Sequence, residues 1–147
     1  MRWALTSFLL LLISTTPLSA KNPQYKDYYG RVTTVIDGDT IKADAYLTKH
    51  LVWKPSVRLR GIDAPELRGK CAEEKRRARA ARDYLRSILS IGDEIWLRRV
   101  KVGKYAGRVI ASVYYKSGKR WVNLSKQLLT AKHGRKYHGG KRKGWCE

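Results

Sequence analysis

The run Val57-Arg58-Leu59-Arg60-Gly61-Ile62-Asp63-Ala64-Pro65-Glu66 restricts the fold more than any other stretch of this chain. Side chains alternate across a strand, so Val57, Leu59 and Gly61 share one face while Arg58 and Arg60 fall on the other. Pro65 has no N–H for a ladder hydrogen bond, and the strand stops before it. The result is a buried strand over residues 57–62. It has an arginine near its start and two carboxylates, Asp63 and Glu66, just past its end.

Four other runs read as strands. Residues 30–36 are rich in β-branched side chains and lead into Asp37-Gly38, a strong hairpin signal. The chain returns over residues 40–45, and residues 94–100 and 108–115 form a later pair before the turn at Ser117-Gly118. Residues 21–29 read as a loose lead-in. Residues 46–55 read as a longer connection carrying His50 and Trp53. Residues 72–89 carry Ala78, Ala81, Leu85 and Ile88 on one helical stripe, with charges elsewhere. Glu73, Glu74 and Asp83 can pair there with Arg76, Arg77, Arg79 and Arg86. A second helix is predicted over residues 122–132, with Asn123 or Trp121 near its start and Gly134 beyond its end. The glycine- and lysine-rich tail, residues 134–147, does not suit a third long helix. Five short strands with a helix between the third and fourth suit a small closed barrel of the oligonucleotide-binding type. The expected fold class is therefore α+β, mainly β: a five-stranded barrel with two helices in one domain over residues 21–147.

Charge narrows the partners. The chain of 147 residues has 32 Lys+Arg against 12 Asp+Glu, a formal net charge of +20. Such a charge costs self-repulsion and favours polyanions. Nucleic acid is the first candidate and an anionic membrane surface the second. The acids are concentrated: Asp37, Asp39, Asp63 and Glu66 lie in the two motifs. Carboxylates repel phosphate, so a polyanion binder that keeps them in its site implies a bound cation.

Met1-Arg2, the apolar run from Phe8 to Ile13 and the Leu18-Ser19-Ala20 end read as a signal peptide over residues 1–20. The apolar stretch is too short to span a bilayer. The expected location is secreted or periplasmic, with no stable membrane association after cleavage. The two cysteines, Cys71 and Cys146, then suggest one disulfide, tying the C-terminus to the start of the first helix. None of His50, His133 and His138 has zinc-ligand spacing to a cysteine pair.

Ile-Asp-Gly-Asp-Thr at residues 36–40, the 57–66 motif and Tyr105-Ala106-Gly107-Arg108, in this order, resemble the staphylococcal nuclease (thermonuclease) family. The resemblance covers about residues 28–132. It implies that Asp39 and Asp63 are calcium-ligand carboxylates, with the backbone carbonyl of Ala64 as a further ligand; oxygen donors of this kind suit Ca²⁺. It implies that Glu66 acts as general base on water and that Arg58 and Arg108 bind the scissile phosphate. Guanidinium forks match phosphate oxygens as lysine does not. The implied activity is a monomeric, calcium-dependent endonuclease acting on DNA and RNA and leaving 3′-phosphate ends. Lys104 and Tyr105 carry a weaker implied contact with a nucleotide, because this chain has one residue more than the family's Tyr-Gly-Arg.

Other residues have plainer readings. Asp37 is the turn residue. Arg60 reads as a surface or salt-bridging arginine. Trp53, Trp96, Trp121 and Trp145 read as packing side chains. Ala64 stands where well-known members have threonine, the 39–58 segment is longer than usual, the loop after Glu66 is shorter, and the C-terminal region is truncated. The alternative reading is a non-catalytic nucleic-acid-binding barrel. The intact set Asp39, Arg58, Asp63, Glu66 and Arg108 speaks against it, because a pure binder has no use for acids among phosphates.

Overall fold

The computed structural model describes residues 26–146. The expected signal segment, residues 1–20, lies outside the described residues. The strands are β1 (Lys26–Val35), β2 (Thr40–Thr48), β3 (Leu51–Trp53), β4 (Ser56–Leu59), β5 (Ile62–Asp63), β6 (Glu94–Val102), β7 (Arg108–Ser117), β8 (Arg120–Asn123) and β9 (Arg135–Lys136). The helices are α1 (Ala72–Ile88) and α2 (Leu124–Thr130).

Five strands close into a barrel in the cyclic order β1, β6, β7, β4, β2, with β1 pairing back onto β2. Only β4 and β7 run parallel; the other pairs in this ring are antiparallel. These are the five strands that alternation predicts, and the class is mainly β with two helices, as expected. The inward residues form one core: Val32, Ile41, Ala43, Val57, Leu59, Ile95, Leu97, Val109, Ala111 and Val113 are all buried. Leu85 and Leu89, from α1 and its end, and Leu124 and Leu128 of α2 join this core. The stripe on α1 faces it as predicted, with Ala78, Ala81 and Leu85 buried and Ile88 packed alongside.

Several expectations need correction. Residues 26–29 are not a lead-in: Tyr28 and Tyr29 pair with Leu97 and Trp96. The 46–55 connection is mostly sheet, because β2 runs on to Thr48 and β3 folds back against it. The second helix starts two residues late. Trp121 and Val122 belong to β8, and Asn123 caps α2 by accepting the Lys126 N–H at 3.0 Å. Asp83 pairs with its neighbour Arg82, while Arg86 donates to the Val35 carbonyl and Glu74 turns inward.

The correction that matters for function lies in the 57–62 run. Pairing with the barrel ends at Leu59, where the chain turns through Gly61 at φ +86°, a conformation that favours glycine. The Ser125 hydroxyl holds the turn by donating to the Arg60 carbonyl at 2.8 Å. Ile62 and Asp63 then leave the barrel and pair with the tail strand β9. This departure lays Asp63 and Ala64 against the Asp37–Asp39 turn.

Candidate active site

Asp39 stands at the end of a turn closed by Ile36 N–H donating to Thr40 O at 3.0 Å. Asp37 is the turn residue: its Oδ1 accepts the Asp39 N–H at 3.0 Å. Gly38 is not in the left-handed region that a tight two-residue hairpin uses. It is needed for proximity. A Cβ there would lie 2.7 Å from Ala81 Cβ on α1 and 2.9 Å from Ala64 Cβ. The turn is therefore pressed between helix and loop, and Asp39 is only 3% exposed.

Arg58 joins the two acids. Its Nη1 donates to Asp39 Oδ1 at 2.7 Å and its Nη2 to Asp63 Oδ1 at 3.5 Å. The other Asp39 oxygen accepts the Ala64 N–H at 2.8 Å. Asp63 is 1% exposed. Glu66 lies at the rim, with its side chain 48% exposed, in a loop that the buried Glu74 organises by accepting the N–H groups of Lys70 at 2.9 Å and Glu66 at 3.4 Å. Burial pushes the Asp39 carboxyl up to about 6, against the opposing pull of Arg58 and the Ala64 N–H.

Arg108 sits at the start of β7. In the parallel β4–β7 ladder Ser56 pairs with Arg108 and Arg58 with Ile110. Arg58 and Arg108 thus share the outer face of adjacent strands as diagonal neighbours, about 7–8 Å apart at the backbone. Among the described residues Arg108 meets no carboxylate; its guanidinium lies over the exposed Tyr105 ring at 5.5 Å from the centroid. Tyr105 therefore lies beside the predicted phosphate arginine. Lys104 is exposed in the same turn. Arg60 donates to the Arg99 carbonyl at 2.7 Å and to the Ile110 carbonyl at 3.4 Å.

Two tail arginines enter the site, and the sequence reading missed both. Arg135 donates to Asp63 Oδ2 from Nη2 at 3.0 Å and from Nε at 3.2 Å. It also meets the Lys143 and Gly144 carbonyls and stacks on Trp145 at 4.1 Å. Arg142 reaches Asp63 Oδ1 at 3.4 Å and Glu66 Oε1 at 2.5 Å. Cys71 and Cys146 are bonded, with Cα atoms 6.0 Å apart. That bond was the available signal. Cys71 lies five residues after Glu66 and Cys146 four after Arg142, so joining them brings Arg142 to Glu66.

The donor set fits a hard cation. Asp39 and Asp63 offer buried carboxylate oxygens from converging segments, and the adjoining Ala64 has a carbonyl to add. The raised Asp39 carboxyl marks negative charge that burial disfavours and that an ion would stabilise. Cys71, Glu74 and Cys146 also place ligand-type atoms within 4.8 Å of one another. That cluster is structural, because both sulfurs are committed to the disulfide.

The family model for staphylococcal nuclease homologues matches residues 56–139, more than half of the chain. The chain belongs to that family. The match takes in Arg58, Asp63, Ala64, Glu66, Arg108 and Arg135, whereas Asp39 and Arg142 lie outside it. A protein of Bacillus subtilis (strain 168) named Endonuclease YhcR is 36% identical over 107 residues, 67% of this chain. The aligned part is 8% of that much longer relative. For this staphylococcal nuclease homologue the arrangement gathers two buried acids, one rim acid and two outward arginines on one end of the barrel.

Proposed function

We propose that this staphylococcal nuclease homologue is an exported, calcium-dependent endonuclease that hydrolyses DNA and RNA and leaves 3′-phosphate ends. The observation that carries the reading is the Arg58 clamp. One guanidinium spans Asp39 and Asp63 from a position that also faces the groove beside Arg108. Arg58 and Arg108 grip the non-bridging oxygens of a phosphodiester and stabilise the charge that builds on them as phosphorus becomes five-coordinate. Glu66, exposed at the rim, takes a proton from the attacking water. The bond from phosphorus to the 5′ oxygen breaks and that oxygen takes a proton from solvent water, which leaves a 3′-phosphate and a 5′-hydroxyl. Asp39, Asp63 and the Ala64 carbonyl would hold calcium, which would supply positive charge to neutralise the phosphate and polarise one of its oxygens. Lys104 and Tyr105 contact the nucleotide beside Arg108.

Export through the signal segment agrees with the Cys71–Cys146 bond, since structural disulfides persist in oxidising compartments. The mature protein works as a monomer in the periplasm or outside the cell. Among the described residues no helix is long and apolar enough to cross a membrane.

The test is digestion of single-stranded DNA and RNA by the purified protein, with calcium and with excess chelator. Mass spectrometry then reads the product ends. The expected result is cleavage with calcium alone and 3′-phosphate termini. Cleavage that persists in chelator overturns the metal dependence. Binding without cleavage under any metal moves the protein to the non-catalytic barrel.

A further inference from the structure

The outer face of the barrel carries an aromatic row away from Asp39, Asp63 and Glu66. Tyr46 of β2 pairs in register with Tyr29 of β1, Tyr29 with Trp96 of β6, and Trp96 with Tyr114 of β7. Four adjacent strands thus place an aromatic ring at one level. The rings touch in sequence: Tyr29–Tyr46 stack at 6.2 Å, Tyr29–Trp96 meet edge-on at 5.4 Å, and Trp121 of β8 meets Trp96 at 6.4 Å. Tyr46, Trp96 and Trp121 keep 37–40% of their surface exposed. Cross-strand pairing alone explains why such rings are neighbours. It does not explain why three of the largest stay this open, two of which, Trp96 and Trp121, line a surface recess of about 400 Å³ together with Tyr114, Arg98 and its partner Asp27.

The row is continuous with the candidate active site. On β7 the outward residues are Arg108, Ile110, Ser112 and Tyr114, so one strand face runs from the phosphate arginine to the aromatic row. At a rise of about 3.3 Å per residue that distance is about 20 Å. Between the two ends lies a groove of about 590 Å³, lined by Arg58, Lys101, Ile110 and Ser112 among others. Its second wall comes from a β-bulge. Register slips between Arg98 and Lys101 of β6, and Arg99 takes φ 55°, unusual for a residue with a side chain. The Asp27 carboxylate holds the bulge by accepting the Arg99 N–H at 2.7 Å and Arg98 Nε at 3.1 Å. An unbulged strand turns every second side chain inward. Here Arg98 and Arg99 both face out and Lys101 follows them, so the bulge adds cations on the groove side.

We propose that this face is a second binding site, a stacking platform for single-stranded nucleic acid several nucleotides from the scissile phosphate. Bases lie against Trp96, Trp121 and Tyr114, and the backbone follows the cationic bulge to Arg58 and Arg108. Aromatic faces accept any base, and a positive groove tracks the phosphates, which gives sequence-tolerant binding over about 4–16 nucleotides. The cations at the β7–β8 turn, Lys116, Lys119 and Arg120, extend the positive rim. Of the carboxylates beside the row, Asp27 and Glu94 are paired with Arg98 and Arg31, and Asp44 lies two residues before Tyr46 on β2, opposite Arg31 in the β1–β2 register. The platform deepens the nuclease reading and rests on it for its substrate.

The experiment is a fluorescence titration in chelator, so that nothing is cut. Oligothymidylates of two and of about 16 nucleotides are added to wild type, Trp96→Ala, Trp121→Leu and Arg58→Ala, with melting temperatures recorded for each. Trp121→Leu keeps apolar bulk on an outer strand and guards against a Trp96 variant that fails to fold. The longer oligomer is expected to quench wild-type tryptophan emission, and each ring substitution to weaken its binding about tenfold. Cleavage of the dinucleotide in calcium should be unchanged in the folded ring variants and lost in Arg58→Ala. Wild-type affinity for the long oligomer in both ring variants overturns the platform, even where wild type still cuts. So does an equal loss on the dinucleotide, or capture of anionic vesicles in preference to the oligomer. If wild type never cuts but the ring variants still lose long-oligomer binding, the platform stands and the nuclease reading falls.

Discussion

Arg58 and Arg108 share a strand face but not an environment. The Arg58 side chain is 12% exposed and is paired with two buried acids. Arg108 stands over an exposed tyrosine. Both Arg58→Ala and Arg108→Ala are expected to lower the cleavage rate about 10²-fold or more. Only Arg58→Ala should also cost stability, roughly 3 kcal/mol at neutral pH, because it strands the buried Asp39 charge, whereas Asp63 keeps Arg135 and Arg142. Urea melts of the two variants beside their rates separate these effects, and equal stabilities contradict the burial argument. Asp39 gives a pH test. Its carboxyl is raised to about 6 in the fold, above an unfolded value near 4, so the folded state holds the proton more tightly. In chelator, stability should be full below about pH 4 and fall by about 3 kcal/mol as pH rises through 6. With saturating calcium the trend should reverse, because the ion takes only the ionised carboxylate. Thermal melts across this range, with and without calcium, read both slopes.

At the level of elements, the site depends on two close approaches. The Asp37–Asp39 turn packs on α1 through Gly38, where a methyl group has no room against Ala81 and Ala64. Gly38→Ala should lower stability by about 1–3 kcal/mol and displace Asp39. An unchanged melting temperature would show that the turn relaxes freely. The second approach is the tail. The Cys71–Cys146 bond spans 75 residues and joins the N-cap of α1 to the segment carrying Arg142 and Trp145. Reduction should cost up to about 4 kcal/mol in the chain-entropy model. Calorimetry with and without a thiol reductant measures it. A loss near zero would mean that Arg135, held by Asp63, Gly144 and Trp145, anchors the tail unaided.

The whole molecule carries a charge of +20 while its buried acids gather at one end of the barrel. Binding of single-stranded nucleic acid should therefore weaken steeply with salt. Roughly four phosphate contacts give a log–log slope of about −3. Fluorescence anisotropy over a salt series reads the slope, and a flat response would rule out phosphate contacts as the source of affinity.

The five barrel strands and the α1 stripe were legible in the sequence, because alternation and helical periodicity are local consequences of which side chains must avoid water. The Asp39, Arg58 and Asp63 motif was legible too, as residue types at a spacing that topology then brings to one point. The sequence alone did not show that the 57–62 strand breaks. Gly61 permits the break, but only pairing of Ile62 and Asp63 with β9 makes it favourable. Arg135 and Arg142 read as part of a solvated basic tail, because nothing within a few residues marks them. Their carboxylate partners lie more than 70 positions away. Likewise Tyr29, Tyr46, Trp96 and Tyr114 are scattered along the chain, and only strand register aligns them. What depended on neighbours in sequence was determined by sequence. What depended on neighbours in space waited for the barrel to close.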